Sequence, residues 1–140
     1  MRRELPDGYE IDDDRDRMDV DVVYRYLAEE AYWVPGRDRA TIERLVLESA
    51  RVIGVFRGDE QVGFARVVSD GTSMAWLGDV FVLEGHRGKG LGVELVREAV
   101  EFPAHRGLAW FLNTRDAHSL YARFGFEAPN ERTMVRLRRA

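Results

Sequence analysis

The stretch Val80-Phe81-Val82-Leu83-Glu84-Gly85-His86-Arg87-Gly88-Lys89-Gly90-Leu91-Gly92-Val93 decides how this chain is read. An apolar run ends in a turn rich in glycine, and a helical pattern begins where the turn stops. A helix start carries about four backbone N–H groups without intrahelical acceptors, and a partial positive charge. Glycines let the chain turn sharply and let a phosphate approach the backbone. Arg87 and Lys89 add formal positive charge. Together these features predict a pyrophosphate-binding turn, although glycines alone would also suit a plain helix entry. The nucleotide P-loop does not fit, because Gly90 follows Lys89 where that loop needs Ser or Thr. The dinucleotide pattern Gly-x-Gly-x-x-Gly fails at Val93. What remains is Arg-x-x-Gly-x-Gly, carried by Arg87, Gly90 and Gly92.

Working outward, Met74 to Leu83 reads as one long strand leading into the turn, and Gly90 to Phe102 as the helix leaving it, ended by Pro103. Upstream, Val52–Phe56 and Val62–Val68 read as two strands flanking the hairpin loop Arg57–Gln61. Met18–Glu30 and Arg39–Ala50 carry apolar residues at helical spacing, separated by the Pro35-Gly36 break. Tyr9–Asp12 is a short strand. Downstream, Leu108–Leu112 reads as a strand, about Ala117–Phe124 as a short helix with Gly125 as its C-cap, and Met134–Leu137 as a closing strand. The acidic run Asp12-Asp13-Asp14-Arg15-Asp16 reads as a solvated loop, since it lacks the glycine and distal glutamate of a calcium loop. The pattern is a mixed α/β layer around one sheet, with residues 1–140 as a single domain.

Composition bounds the function. The chain has 140 residues, 45% hydrophobic and 33% charged, with a net charge of -4. That acidic balance argues against a nucleic-acid surface or an anionic membrane as partner and suits a cationic small molecule. There is no cysteine, which removes disulfides, cysteine metal sites and a cysteine nucleophile. No apolar run approaches the roughly 18 residues needed to span a bilayer. With no signal-like N-terminus, a cytoplasmic location is expected. The histidines His86, His105 and His118 have no metal-ligand spacing and read as surface or capping residues. No metal site is expected.

Val82 to Gly92 resembles the acetyl-CoA loop of the GNAT N-acetyltransferases, Gln/Arg-x-x-Gly-x-Gly/Ala after a strand. Thr114-Arg115-Asp116-Ala117-His118-Ser119-Leu120-Tyr121-Ala122-Arg123-Phe124-Gly125-Phe126 resembles that family's second signature, roughly Asn-x-x-Ala-x-x-Leu-Tyr-x-x-x-Gly-Phe. The chain departs from the pattern at Glu84, where proline is frequent, and at Thr114, where asparagine is frequent. The resemblance implies a GNAT-like fold, a mostly antiparallel mixed sheet of about six strands flanked by about four helices. It implies acetyl-CoA as co-substrate, with a cofactor site made of Phe81, Val82, Arg87, Gly88, Lys89, Gly90, Leu91, Gly92, Val93, Thr114 and Ala117. Val82 would act through its main-chain N–H, directed at the thioester carbonyl.

The resemblance also makes Tyr121 the acid that assists the leaving thiolate. With no cysteine available, direct transfer to an amine is expected over a covalent acyl-enzyme. Asp79 is the one carboxylate in the apolar strand Trp76–Val82, where a charge needs a partner or a cleft. It could bind an ammonium group or take its proton through water, or pair with an arginine. Tyr32 and Trp33 could face an organic cation at the acceptor site or plug the helix pair. The expected activity is acetyl transfer from acetyl-CoA to a primary amine of a small, cationic molecule. The alternatives are a protein lysine or N-terminal acetyltransferase and a non-catalytic acyl-CoA-binding module. The sequence leaves room for a homodimer.

Overall fold

A computed structural model describes residues 1–31 and 36–138. Its six strands lie in one sheet in chain order, β1 (Arg2–Glu4), β2 (Tyr9–Asp12), β3 (Arg51–Arg57), β4 (Glu60–Ser69), β5 (Met74–Val82) and β6 (Ala109–Phe111). Every neighbouring pair is antiparallel except β5 and β6, which run parallel. Four helices flank the sheet: α1 (Val20–Glu29), α2 (Arg39–Glu48), α3 (Leu91–Val100) and α4 (His118–Ala122).

Period-two alternation along the strands divides the core into two layers. Ile53, Val55, Ala65, Val67, Ala75 and Leu77 point to one face. There they bury Leu91, Leu95, Val96 and Ala99 of α3 and Tyr121 of α4. Val52, Phe56, Phe64 and Phe81 point to the other face, against Val23, Tyr26 and Leu27 of α1 and Ile42 and Val46 of α2. The i, i+3, i+4 spacing in α1 is what brings its three apolar residues onto one stripe. Each such side chain, fully buried, contributes roughly 1.5–3 kcal/mol. Asp19 starts α1 by accepting from the N–H groups of Asp21 and Val22, and Asp38 starts α2 by accepting from Thr41. The break at Pro35 lies outside the described residues.

Two expectations are corrected here. Met134–Leu137 forms no strand: Met134, Val135 and Leu137 are exposed, and the segment follows a turn in which Asn130 Oδ1 accepts from Arg132 N–H. Its alternating apolar pattern has the propensity of a strand, but a strand also needs a ladder partner. The sixth strand is instead β1, paired to β2 from Arg2↔Asp12 to Glu4↔Glu10. The acidic run is solvated only in part: Asp14 and Asp16 are exposed, as a solvated loop requires, whereas Asp12 and Asp13 are not. Asp12 is buried and accepts from Arg17 at 3.0 Å, and Asp13 accepts from both Met1 N and Arg51. Arg51 is buried too, bonds Glu98 of α3 and lies 3.8 Å above the Phe102 ring. Asp13 and Arg51 thus tie the N-terminus and α3 to β3, while Arg15 donates to Val46 O.

Candidate active site

The site begins with an incomplete pairing. β6 meets β5 only at Met74↔Ala109, Ala75↔Trp110 and Trp76↔Phe111. From Leu77 to Val82, β5 has no partner strand on that side among the described residues. Leu83 N–H donates to Val62 O at 2.8 Å, on the β4 side. Strand N–H groups alternate in direction, so the N–H of Val82 points the other way, into the opening between β5 and β6. Phe81 is different: its ring is buried and stacked on Tyr26, with centroids 4.0 Å apart, so only its backbone is available to a ligand.

Opposite β4, the β5 strand carries a bulge. Arg66 pairs with Gly78 and Phe64 with Phe81, so Asp79 and Val80 together oppose Ala65. Asp79 takes a positive φ of 52°, which re-aims its side chain onto the α1/α2 face. There its Oδ2 accepts from Arg37 Nη1 at 2.9 Å and from Arg66 Nε at 2.5 Å. Its side chain is only 2% exposed. Of the two sequence expectations for Asp79, pairing with arginine is the arrangement found. Arg66 and Arg37 were not singled out from sequence. Arg66 was legible, being a lone charge in the apolar run Val62–Val68 just as Asp79 is in its own strand. Arg37, in a loop, gave no such signal.

The glycine turn sits at the carboxyl end of β5. Gly88 and Gly90 adopt φ of 81° and 77°, the left-handed region that glycine enters without penalty. Gly90 caps α3 with no side-chain hydrogen bond, and the first bond inside the helix is Glu94 N–H to Gly90 O. A Cβ built at Gly88, Gly90 or Gly92 would meet nothing within 4 Å. The helix-start amides of Leu91, Gly92 and Val93 have no side-chain cap and stand next to Lys89 in the chain, an arrangement that fits a pyrophosphate. Arg87 acts differently from a simple surface cation. Its Nε donates to Val82 O and its Nη2 to the Tyr26 hydroxyl, so it ties the turn to β5 and α1.

The short helix α4 follows β6 in the chain. Tyr121 is buried in the same cluster as Leu77, with Val80, Val82 and Ala117 packed against it, and meets Phe126 edge-on at 5.9 Å. Thr114 Oγ1 accepts from Ala117 N–H at 3.0 Å, so this hydroxyl shapes the entry to α4. Gly125, at φ 85°, closes the helix as expected. His86 hydrogen-bonds the Tyr9 hydroxyl at 2.7 Å, whereas His105, expected as a surface or capping residue, is buried. Tyr32 and Trp33 lie outside the described residues. Among the described residues there is no group of three or more metal-ligating side chains, and no helix is long and apolar enough to cross a membrane.

A sequence model of the Acetyltransferase (GNAT) family matches residues 17–126. In structure the chain is similar to a proposed acetyltransferase of the GNAT family from Xanthomonas campestris pv. campestris. The two share 36% identity over 96% of this chain and 95% of that one, with a TM-score of 0.88. A proposed acetyltransferase from Deinococcus radiodurans R1 shares 21% identity over 99% and 94% of the two chains, with a TM-score of 0.76. A GCN5-related N-acetyltransferase from Ralstonia eutropha JMP134 shares 21% identity over 93% and 99%, with a TM-score of 0.66. The last two likenesses speak for the fold alone. No curated protein matches the chain in sequence.

Proposed function

The chain belongs to the GNAT acetyltransferase family, and from that premise we propose that it moves the acetyl group of acetyl-CoA directly to a primary amine of a small molecule. The observation that carries this reading is an uncapped helix start at the end of an open strand edge, with a tyrosine buried in the core layer that this helix and strand share. Acetyl-CoA would supply an activated thioester. Everything else falls to residues of the chain.

The amides of Leu91, Gly92 and Val93, with Lys89, would hold the pyrophosphate, while Arg87 keeps the turn in register with β5. Val82 N–H would donate to the carbonyl oxygen as negative charge builds there, the role of a preorganised oxyanion donor. The new N–C bond forms as the C–S bond breaks, and the one proton the amine gives up passes to solvent water. Tyr121 would donate a hydrogen bond, or its proton, to the departing sulfur. A phenol has a reference pKa near ~10 and a thiol near ~8.5, so full transfer is uphill by roughly 2 kcal/mol and hydrogen-bond donation is the larger part of the role. The acceptor would approach from the α1/α2 face, where Asp79 lies. The sequence points to a cationic acceptor because Asp79 interrupts an apolar strand and the chain is acidic overall, but Arg37 and Arg66 already supply Asp79 with countercharge from within the protein.

The test is CoA release from acetyl-CoA across a panel of amines, with calorimetry of acetyl-CoA binding alongside. Saturable binding and amine-dependent release are expected. Binding without release for any amine or peptide would favour an acyl-CoA-binding module, and release with peptides alone would favour a protein acetyltransferase.

A further inference from the structure

Resting on the acetyl-transfer reading, we propose that the acceptor is a small amine that also carries a carboxylate, received over Gly78 by Arg66 and Trp76. The argument starts from charge. Asp79 is one buried carboxylate facing two guanidiniums, Arg37 at 2.9 Å and Arg66 at 2.5 Å, and among the described residues this ion-pair cluster carries one positive charge in excess. Both arginines are largely withdrawn from water, with side chains 21% and 13% exposed. An excess charge so poorly hydrated is a strong attractor for an anion.

The donors converge as well. A Cβ built on Gly78 would lie 3.4 Å from Trp76 Nε1 and 3.7 Å from Arg66 Nη2. Arg66 uses Nε for Asp79, and among the described residues neither its Nη atoms nor Trp76 Nε1 has a hydrogen-bond acceptor. Neither donor is sealed in the core, because the one fully buried side-chain nitrogen or oxygen without a partner among the described residues is His105 Nδ1. Two N–H donors of different side chains thus border a space kept open by the missing side chain of Gly78. Gly78 has an ordinary backbone conformation, so local strain does not call for glycine there.

The geometry suits a carboxylate, which offers two oxygens to a guanidinium edge and an indole N–H. The same excess charge would disfavour the ammonium form of the acceptor nearby, leaving the neutral amine that attack requires. Asp79 on this reading is a positioning residue that fixes Arg66.

The experiment compares amino acids with their amides as acceptors: glycine, lysine, 4-aminobutyrate and 6-aminohexanoate, each against its carboxamide, with spermidine as a polycation. At least one acid should exceed its amide by tenfold or more in kcat/KM, through KM. Gly78→Val fills the space while keeping the ion pair, and Arg66→Gln removes the guanidinium and its charge. Each should bring the acid-to-amide ratio near one while acetyl-CoA affinity and the melting temperature of Gly78→Val hold. The proposal is overturned if amides or spermidine are used as well as the acids, if no acid is acetylated, or if the preference survives in folded Gly78→Val. Failure of the wild type to bind acetyl-CoA would instead sink the transfer reading, and this one with it.

Discussion

Tyr121 is buried in the layer that also packs Val80 and Val82, so replacing it with phenylalanine removes one hydroxyl and keeps the packing. Tyr121→Phe is expected to lower kcat roughly 10²- to 10⁴-fold, the usual range for a lost proton donor, with little change in acetyl-CoA affinity. Steady-state kinetics beside a thermal melt checks this, and a folded variant at wild-type rate removes the residue from the mechanism. Gly90 presents a different problem. Its φ of 77° is strained for any branched side chain, and a side chain there would enter the space above the helix-start amides. Gly90→Val should bind acetyl-CoA at least tenfold more weakly by calorimetry, a shift of about 1.4 kcal/mol. Asp79→Asn keeps a residue tolerant of positive φ but leaves two guanidiniums without their buried partner. It should destabilise the fold by roughly 3–5 kcal/mol, read from denaturant melts. At this scale the sequence showed where a charge stood in an apolar strand, at Asp79, but not which charges would meet it. Arg37 reaches Asp79 across 42 positions, and no local pattern encodes such a distance.

Elements were more legible than their partners. The helices at Val20–Glu29 and Leu91–Val100 follow directly from apolar spacing and from the glycine turn, because local physics sets them. The strand pattern at Met134–Leu137 misled, because β propensity describes what a segment tolerates and says nothing of a neighbour to pair with. Conversely β1, Arg2–Glu4, has no apolar pattern at all and exists because β2 offers it a ladder. The bulge at Asp79–Val80 is likewise a property of the β4–β5 pair, not of either strand read alone. Leu95 shows where an element is anchored: it is fully buried on α3 against the strands that floor the site. Leu95→Ala should cost roughly 2–5 kcal/mol of stability in chemical denaturation.

For the whole molecule, acid should act in two steps. Burial, reinforced by the charge of Arg51, pulls His105 below the ordinary histidine value of 6.5. The unfolded chain then binds more protons than the folded one just below that pH, so stability falls as pH drops through the ordinary histidine value toward the lower, folded one. Asp13 follows lower down. Burial alone would raise its pKa, but hydrogen bonds from the N-terminal ammonium and Arg51 outweigh burial and hold it below 3.8. Its contribution is complete above that value and is lost as pH falls through the lower, folded one. Melts across pH should show both steps, and His105→Leu should remove only the first. The three-residue contact between β5 and β6 bears on the same measurements. A sheet that stops zipping halfway leaves main-chain hydrogen-bonding capacity along Leu77–Val82, and an amide-bearing ligand arm lying there would act as a temporary strand. The co-substrate then becomes a thermodynamic stabiliser: at a hundred times its Kd it adds about 2.7 kcal/mol to folding. On that reading each release of product would return the protein to its less stable form.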